Sequence, residues 1–119
     1  MRAIVLCFIV AGANFSLHAA ESCTTFHGRA HFYSGDRQLR IWQIGTHHEY
    51  EPDVSSWDQV MDWLIAGVKP SERKNYASPA SGVYLFADFT VCPTEPLRRG
   101  ALQKAKVKSA MHRHYVEAN

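Results

Sequence analysis

The stretch Thr24–Ile44, TTFHGRAHFYSGDRQLRIWQI, decides how the rest of the chain reads. In its first half Phe26, Gly28, Ala30 and Phe32 alternate with His27, Arg29, His31 and Tyr33. A period of two, with aromatic and threonine enrichment, is the pattern of a half-buried strand. The polar partners His27, Arg29 and His31 then share the face opposite Phe26 and Phe32. Ser34-Gly35-Asp36-Arg37 is a turn cluster, with Gly35 the residue suited to a positive φ. Leu39, Ile41 and Gln43 next alternate with Arg40, Trp42 and Ile44, so both faces of this second strand carry apolar groups. A β-hairpin is the economical reading.

Downstream, Gly45-Thr46 punctuates and HHEYE reads as one further short strand before Pro52. The period then changes. In WDQVMDWLIAG, Trp57, Val60, Met61, Leu64 and Ile65 recur at spacings of three and four, one apolar stripe of a helix. Ser56 with Gln59 makes a capping-box pattern, Asp58 suits the positive N-terminal end, and Gly67 suits the stop. Lys69–Ser81 reads as a surface loop with two prolines. Val83–Cys92, VYLFADFTVC, is the strongest strand signal, and Asp88 within it needs a hydrogen-bond partner if buried. After the loop PTEPLRRG, Leu102 and Lys104, Lys106 and Lys108 alternate with Ala105, Val107 and Ser109. That is a strand with a lysine row of the kind that guards a sheet edge, although Val107, Ala110, Met111 and Tyr115 also suit a helix. The order is strand, strand, short strand, helix, strand, strand. It predicts a mainly β fold with one helix: a small antiparallel barrel of OB-like strand order, or a compact sandwich.

Upstream, Met1-Arg2 precedes the apolar run Ala3–Ala13 and a more polar segment ending in Ala19-Ala20. This order of charge, apolar core and small residues predicts a signal peptide over residues 1–20 and one β-rich domain over 21–119. The apolar run is shorter than the ~20 residues of a spanning helix, so no membrane span is expected in the mature chain. Glu21-Ser22 before Cys23 fits a lipoprotein signal poorly. An exported, periplasmic or extracellular protein follows. Cys7 leaves with the signal, and the remaining pair, Cys23 and Cys92, is expected to oxidise to a disulfide. Of 13 Lys and Arg against 11 Asp and Glu, only Arg2 is lost. A balance this near neutral gives no electrostatic case for nucleic acid.

The blocks GRAHFYSGDRQLRIWQIGT (Gly28–Thr46) and ADFTVCP (Ala87–Pro93) resemble a family of exported bacterial proteins of unknown function. Its pattern is a strand with Gly-Arg, a glycine turn, Arg-Ile-Trp, Gly-Thr, and later Asp-Phe-x-Val-Cys-Pro. The resemblance implies the compartment and a β-rich fold, and transfers no catalytic residue.

Two chemistries compete for the polar side chains. Arg29, Arg40 and Trp42 fall on the two strands of the hairpin beside Tyr33. Arginines stacked on aromatics bind carboxylates, sulfates or sugars, and also pair across strands simply to stabilise a sheet. The rival is a zinc or copper site, since seven histidines are present. His27 and His31 lie ~13 Å apart at strand rise, too far to share one ion. Adjacent His47 and His48 point to opposite faces if extended. His112 and His114, ~7 Å apart on one strand face, are the better pair, with His47 or His48 as third ligand. Nucleophilic catalysis lacks a G-x-S-x-G elbow and, once the bridge forms, a free thiol. The sequence therefore favours a non-catalytic exported domain binding a protein or a small anionic or sugar ligand. A metal-binding protein or metalloenzyme is the alternative.

Overall fold

The computed structural model describes residues 22–118, and the signal-peptide reading of residues 1–20 lies outside them. The predicted hairpin forms from β1 (Thr24–Tyr33) and β2 (Gln38–Gln43), paired antiparallel with Arg29 opposite Trp42 and His31 opposite Arg40. Its turn differs from expectation: the residue with positive φ is Arg37, at 56°, and Gly35 does not need its freedom. β3 (Glu49–Pro52) adds antiparallel to β2, with Tyr50 opposite Ile41. Helix α1 (Trp57–Ala66) follows, then two 3-10 turns at Pro70–Asn75 and Pro79–Gly82. β4 (Val83–Pro93) returns antiparallel to β1, and β5 (Gln103–Glu117) pairs antiparallel to β4 and parallel to β3.

The ladder closes in the order β1-β2-β3-β5-β4. A sheet that returns to its first strand is a barrel, so the sandwich alternative falls. Strand order and helix position are those of an OB-type barrel. The β3–β5 pair is its one parallel ladder among the described residues. The C-terminal segment is strand, not helix. Its lysine row does not guard an edge: Lys104 lies opposite Glu51 of β3, and Lys106 opposite Cys92 of β4. The lysines are the solvent side of a strand whose other side, Ala105 and Val107, is core.

Alternation fills the interior. Val83, Leu85, Ala87, Phe89 and Val91 of β4 meet Ala30 and Phe32 of β1 and Leu39 and Ile41 of β2, all buried. Val60 and Leu64 of α1 are fully buried and plug the barrel from one end. Two glycines are set by space. A Cβ on Gly28 would lie 2.8 Å from the Phe26 ring and 2.9 Å from the Trp42 carbonyl. One on Gly67 would lie 2.1 Å from the ring of Tyr115, whose hydroxyl donates to the Trp63 carbonyl at 2.7 Å. Gly67 ends the helix with right-handed backbone, so its role is contact and not a left-handed stop.

The helix start also departs from the capping box. Ser56 occupies the cap position without a side-chain cap bond. Its buried hydroxyl accepts instead from the Val107 N–H of β5, at 2.8 Å. Asp53 takes over the turn, its carboxylate accepting from the Ser55 and Ser56 N–H groups at 3.1 Å each. The segment expected as a surface loop is anchored too: Ala80 is fully buried, and the Tyr76 ring fits over Gly82.

Cys23 and Cys92 are bonded, with 2.02 Å between sulfurs and 4.0 Å between Cα atoms. Thr24 opposes Val91 in the β1–β4 ladder, so the bridge joins directly facing positions at the end of that pair. No helix among the described residues is long and apolar enough to cross a membrane.

Candidate functional site: the outer face of β2, β1 and β4

The same alternation that buries Ala30, Ile41 and Leu85 turns their neighbours outward onto one continuous face. Arg29 lies between two rings, its guanidinium carbon 5.0 Å from the Trp42 ring centre and 4.9 Å from that of Tyr84. Tyr84 stacks on His31 at 4.2 Å, and His31 meets Tyr33 edge-on at 4.6 Å. Tyr33 in turn lies under Arg40, at 5.0 Å. Trp42, Arg29, Tyr84, His31, Tyr33 and Arg40 thus form one continuous row of four rings and two guanidinium cations across three strands. Such contacts are each worth ~0.5–1 kcal/mol where exposed and more where water is excluded.

The two arginines differ in their polar partners. Arg40 donates to the Gln38 side-chain oxygen, from Nε at 2.9 Å, and pairs with Glu49 at 3.4 Å. Arg29 is half-buried, and its Nε is shielded from solvent with no hydrogen-bond partner among the described residues. Neither Asp36 nor Asp88, the carboxylates within sequence reach of it, forms an ion pair with it. His31 Nδ1 lies 2.8 Å from the Val83 carbonyl, which only accepts, so that nitrogen carries the proton. Burial, and the charge of Arg29 beside it, hold the His31 pKa below the usual histidine value against the pull of that hydrogen bond.

Further along the face, Asp88 sits between two imidazoles, His112 Nδ1 at 2.9 Å and His27 Nδ1 at 3.2 Å. The hydrogen bonds from His112 and then His27 hold its carboxyl below the usual carboxylate range. His112 reaches it from a β-bulge. Met111 opposes Asp88 and His114 opposes Phe86, leaving His112 and Arg113 both facing Ala87, with His112 at φ 55°. His112 reaches Asp88 and His114 lies opposite Phe86, so both meet outward side chains of β4, with the bulge between them. His114 packs near Phe86, with ring centres 6.4 Å apart. His48 is tied to Gln103 at 2.8 Å and lies against Tyr50. His47 is exposed in the β2–β3 turn. The proposed ligands are thus dispersed, and among the described residues no group of three or more His, Cys, Asp and Glu side chains is placed to hold a metal ion.

Next to Arg40 the surface opens into a groove of about 960 Å³. One wall is the β2–β3 turn with His47 and His48. The opposite wall is the β4–β5 loop from Leu97 to Leu102, and Gln38, Arg40 and Glu49 form the floor. The walls are braced to each other: the Gln103 amide donates to the Glu95 carbonyl at 2.9 Å, which turns its oxygen to His48. The carbonyl of Thr46, a residue of that lining, accepts from the Trp42 Nε1–H at 2.7 Å.

Of the sequence-derived binding residues, Arg29, Arg40 and Trp42 all lie on this one face. Tyr84, Asp88 as a partner of His27, and the arginines of the β4–β5 loop were not anticipated. Comparisons with protein-family models, with curated proteins and with solved structures return no match.

Proposed function

We propose that the protein is an exported, non-catalytic binding domain that takes an anionic group on the outer face of β1 and β2, around Arg29, Arg40 and Trp42. The observation that carries this reading is the state of Arg29. Its two faces are covered by Trp42 and Tyr84, and no carboxylate or carbonyl among the described residues accepts from its guanidinium. With both faces covered and Nε shielded, only the Nη edge of the guanidinium is left for a ligand, and its two N–H groups match the two oxygens of a carboxylate, sulfate or phosphate. A disulfide compatible with an oxidising compartment supports export, as does the resemblance of Gly28–Thr46 and Ala87–Pro93 to exported proteins.

Nuclear magnetic resonance tests this directly. Titration with glucuronate or sulfate is expected to give saturable shifts at the Arg29 Nε–H and the Trp42 indole N–H. The Trp42 shift should be lost in Arg29→Gln. Absence of shifts in the native protein, or shifts that persist in the variant, would overturn the assignment.

A further inference from the structure

We infer that the groove beside Arg40 holds a length of acidic polysaccharide, so that the ligand of the face described above is a polymer and not a free monosaccharide. This names the substrate class of the proposed binding domain and rests on that reading.

The charges of the groove come first. Its β4–β5 wall carries Arg98 and Arg99, and neither side chain makes an ion pair or hydrogen bond among the described residues. His47 and His48 face them from the other wall, and the floor holds one acid, Glu49, already paired to Arg40. Two arginines without ion-pair partners on one wall suit anionic groups spaced along a ligand, since each guanidinium offers a bidentate edge of its own. The volume of about 960 Å³ is at the upper end of pockets for drug-sized molecules, and the groove is open, as a chain passing through requires.

The polar groups of the floor then choose among polyanions. The Gln38 oxygen is taken by Arg40, but Glu49 meets Arg40 through Oε1 alone, which leaves its Oε2 as an acceptor on the groove. Sugar hydroxyls donate to such an oxygen, and the phosphodiester backbone of DNA has no donor to offer it. Single-stranded nucleic acid also needs aromatic platforms for its bases. The groove is lined by no Trp, Tyr or Phe. A ligand bearing hydroxyls and regularly spaced carboxylates or sulfates meets both the cations and the acceptor. Gly100, at φ 76°, lets the loop turn directly after the two arginines that line the groove.

The test uses calorimetry on the disulfide-bonded protein with a short uronate oligomer, a short sulfated oligomer, monomeric glucuronate, a neutral glucan oligomer and oligo(dT). One or both acidic oligomers should bind at least about tenfold tighter than the monomer, the scale of one charge-assisted hydrogen bond. The neutral glucan should not bind. Which oligomer wins identifies the anionic group. The double variant Arg98→Ala/Arg99→Ala should erase the gain, while leaving the glucuronate shifts at Arg29 intact. Oligo(dT) binding as tightly as the best glycan would overturn the inference in favour of nucleic acid. So would a gain that survives the double variant, or no gain over the monomer. If glucuronate still shifts Arg29 in that last case, the binding-domain reading stands and the polymer falls alone. If Arg29 is silent with every ligand, that reading falls too.

Discussion

His31 shows how far one side chain can be removed from the state its position suggests. It points outward on β1, yet only 8% of it is exposed, because Tyr84 and Tyr33 cover the ring. Its folded pKa lies below the usual histidine value because burial disfavours the charged ring. In the unfolded chain the imidazole takes up its proton near pH 6.5, and in the folded chain only at lower pH. The unfolded state therefore binds more protons between those values, and stability falls as pH drops below about 6.5. Urea midpoints should decline over this interval in the native protein and decline less in His31→Gln. A His31 titration at or above 6.5 would contradict the burial argument. At this scale the sequence was readable in one half only. Alternation alone put His27, Arg29 and His31 on one face. Their partners on β4 needed the register, which the cysteines already contained: an antiparallel pair with Cys23 facing Cys92 sets His27 opposite Asp88 and Arg29 opposite Phe86. Arg98 and Arg99 were not legible, because a loop has no period from which to read a direction.

Among the elements, helix α1 was plain in its apolar stripe and misleading at its start. Ser56 has the residue type and spacing of a cap, but a hydroxyl buried beside an unpaired strand amide is drawn to that amide instead. The hydroxyl thereby fills a rung of β5 beyond the short β3 ladder, which ends at the Pro52–Ala105 pair. Ser56→Ala leaves the Val107 N–H buried without an acceptor and should cost about 1–3 kcal/mol in denaturant unfolding. An ordinary cap deletion would cost about 1 kcal/mol and would not touch β5. Hydrogen exchange at Val107 separates the two: its amide should exchange faster in the variant, and unchanged protection would refute the role given to Ser56. β5 itself departs from strict periodicity at the bulge, where one residue is added around His112. Nothing in MHRHY marks that bulge, since His112 takes left-handed backbone without being glycine.

For the whole molecule, the strand order predicted an OB-like barrel or a sandwich, and closure through the parallel β3–β5 ladder decides for the barrel. Pairing between segments that far apart is set by tertiary packing and has no local signal. The Cys23–Cys92 bond spans 69 residues and ties β1 to β4. A loop of that length constrains the unfolded chain by about 4 kcal/mol or more in the entropy model, against ~5–15 kcal/mol for the total stability of a domain. Reduction, or Cys23→Ser with Cys92→Ser, should lower the thermal midpoint by well over ten degrees. A shift of only a few degrees would mean that strain in the native bond offsets most of the gain. The bond also orders events in time. Both cysteines precede β5 in the chain, so as the polypeptide appears from its N-terminus the β1–β4 pair can be oxidised while the last strand is still absent. Where the bond forms first, it fixes the β1–β4 register before β5 pairs along β4 and closes onto β3.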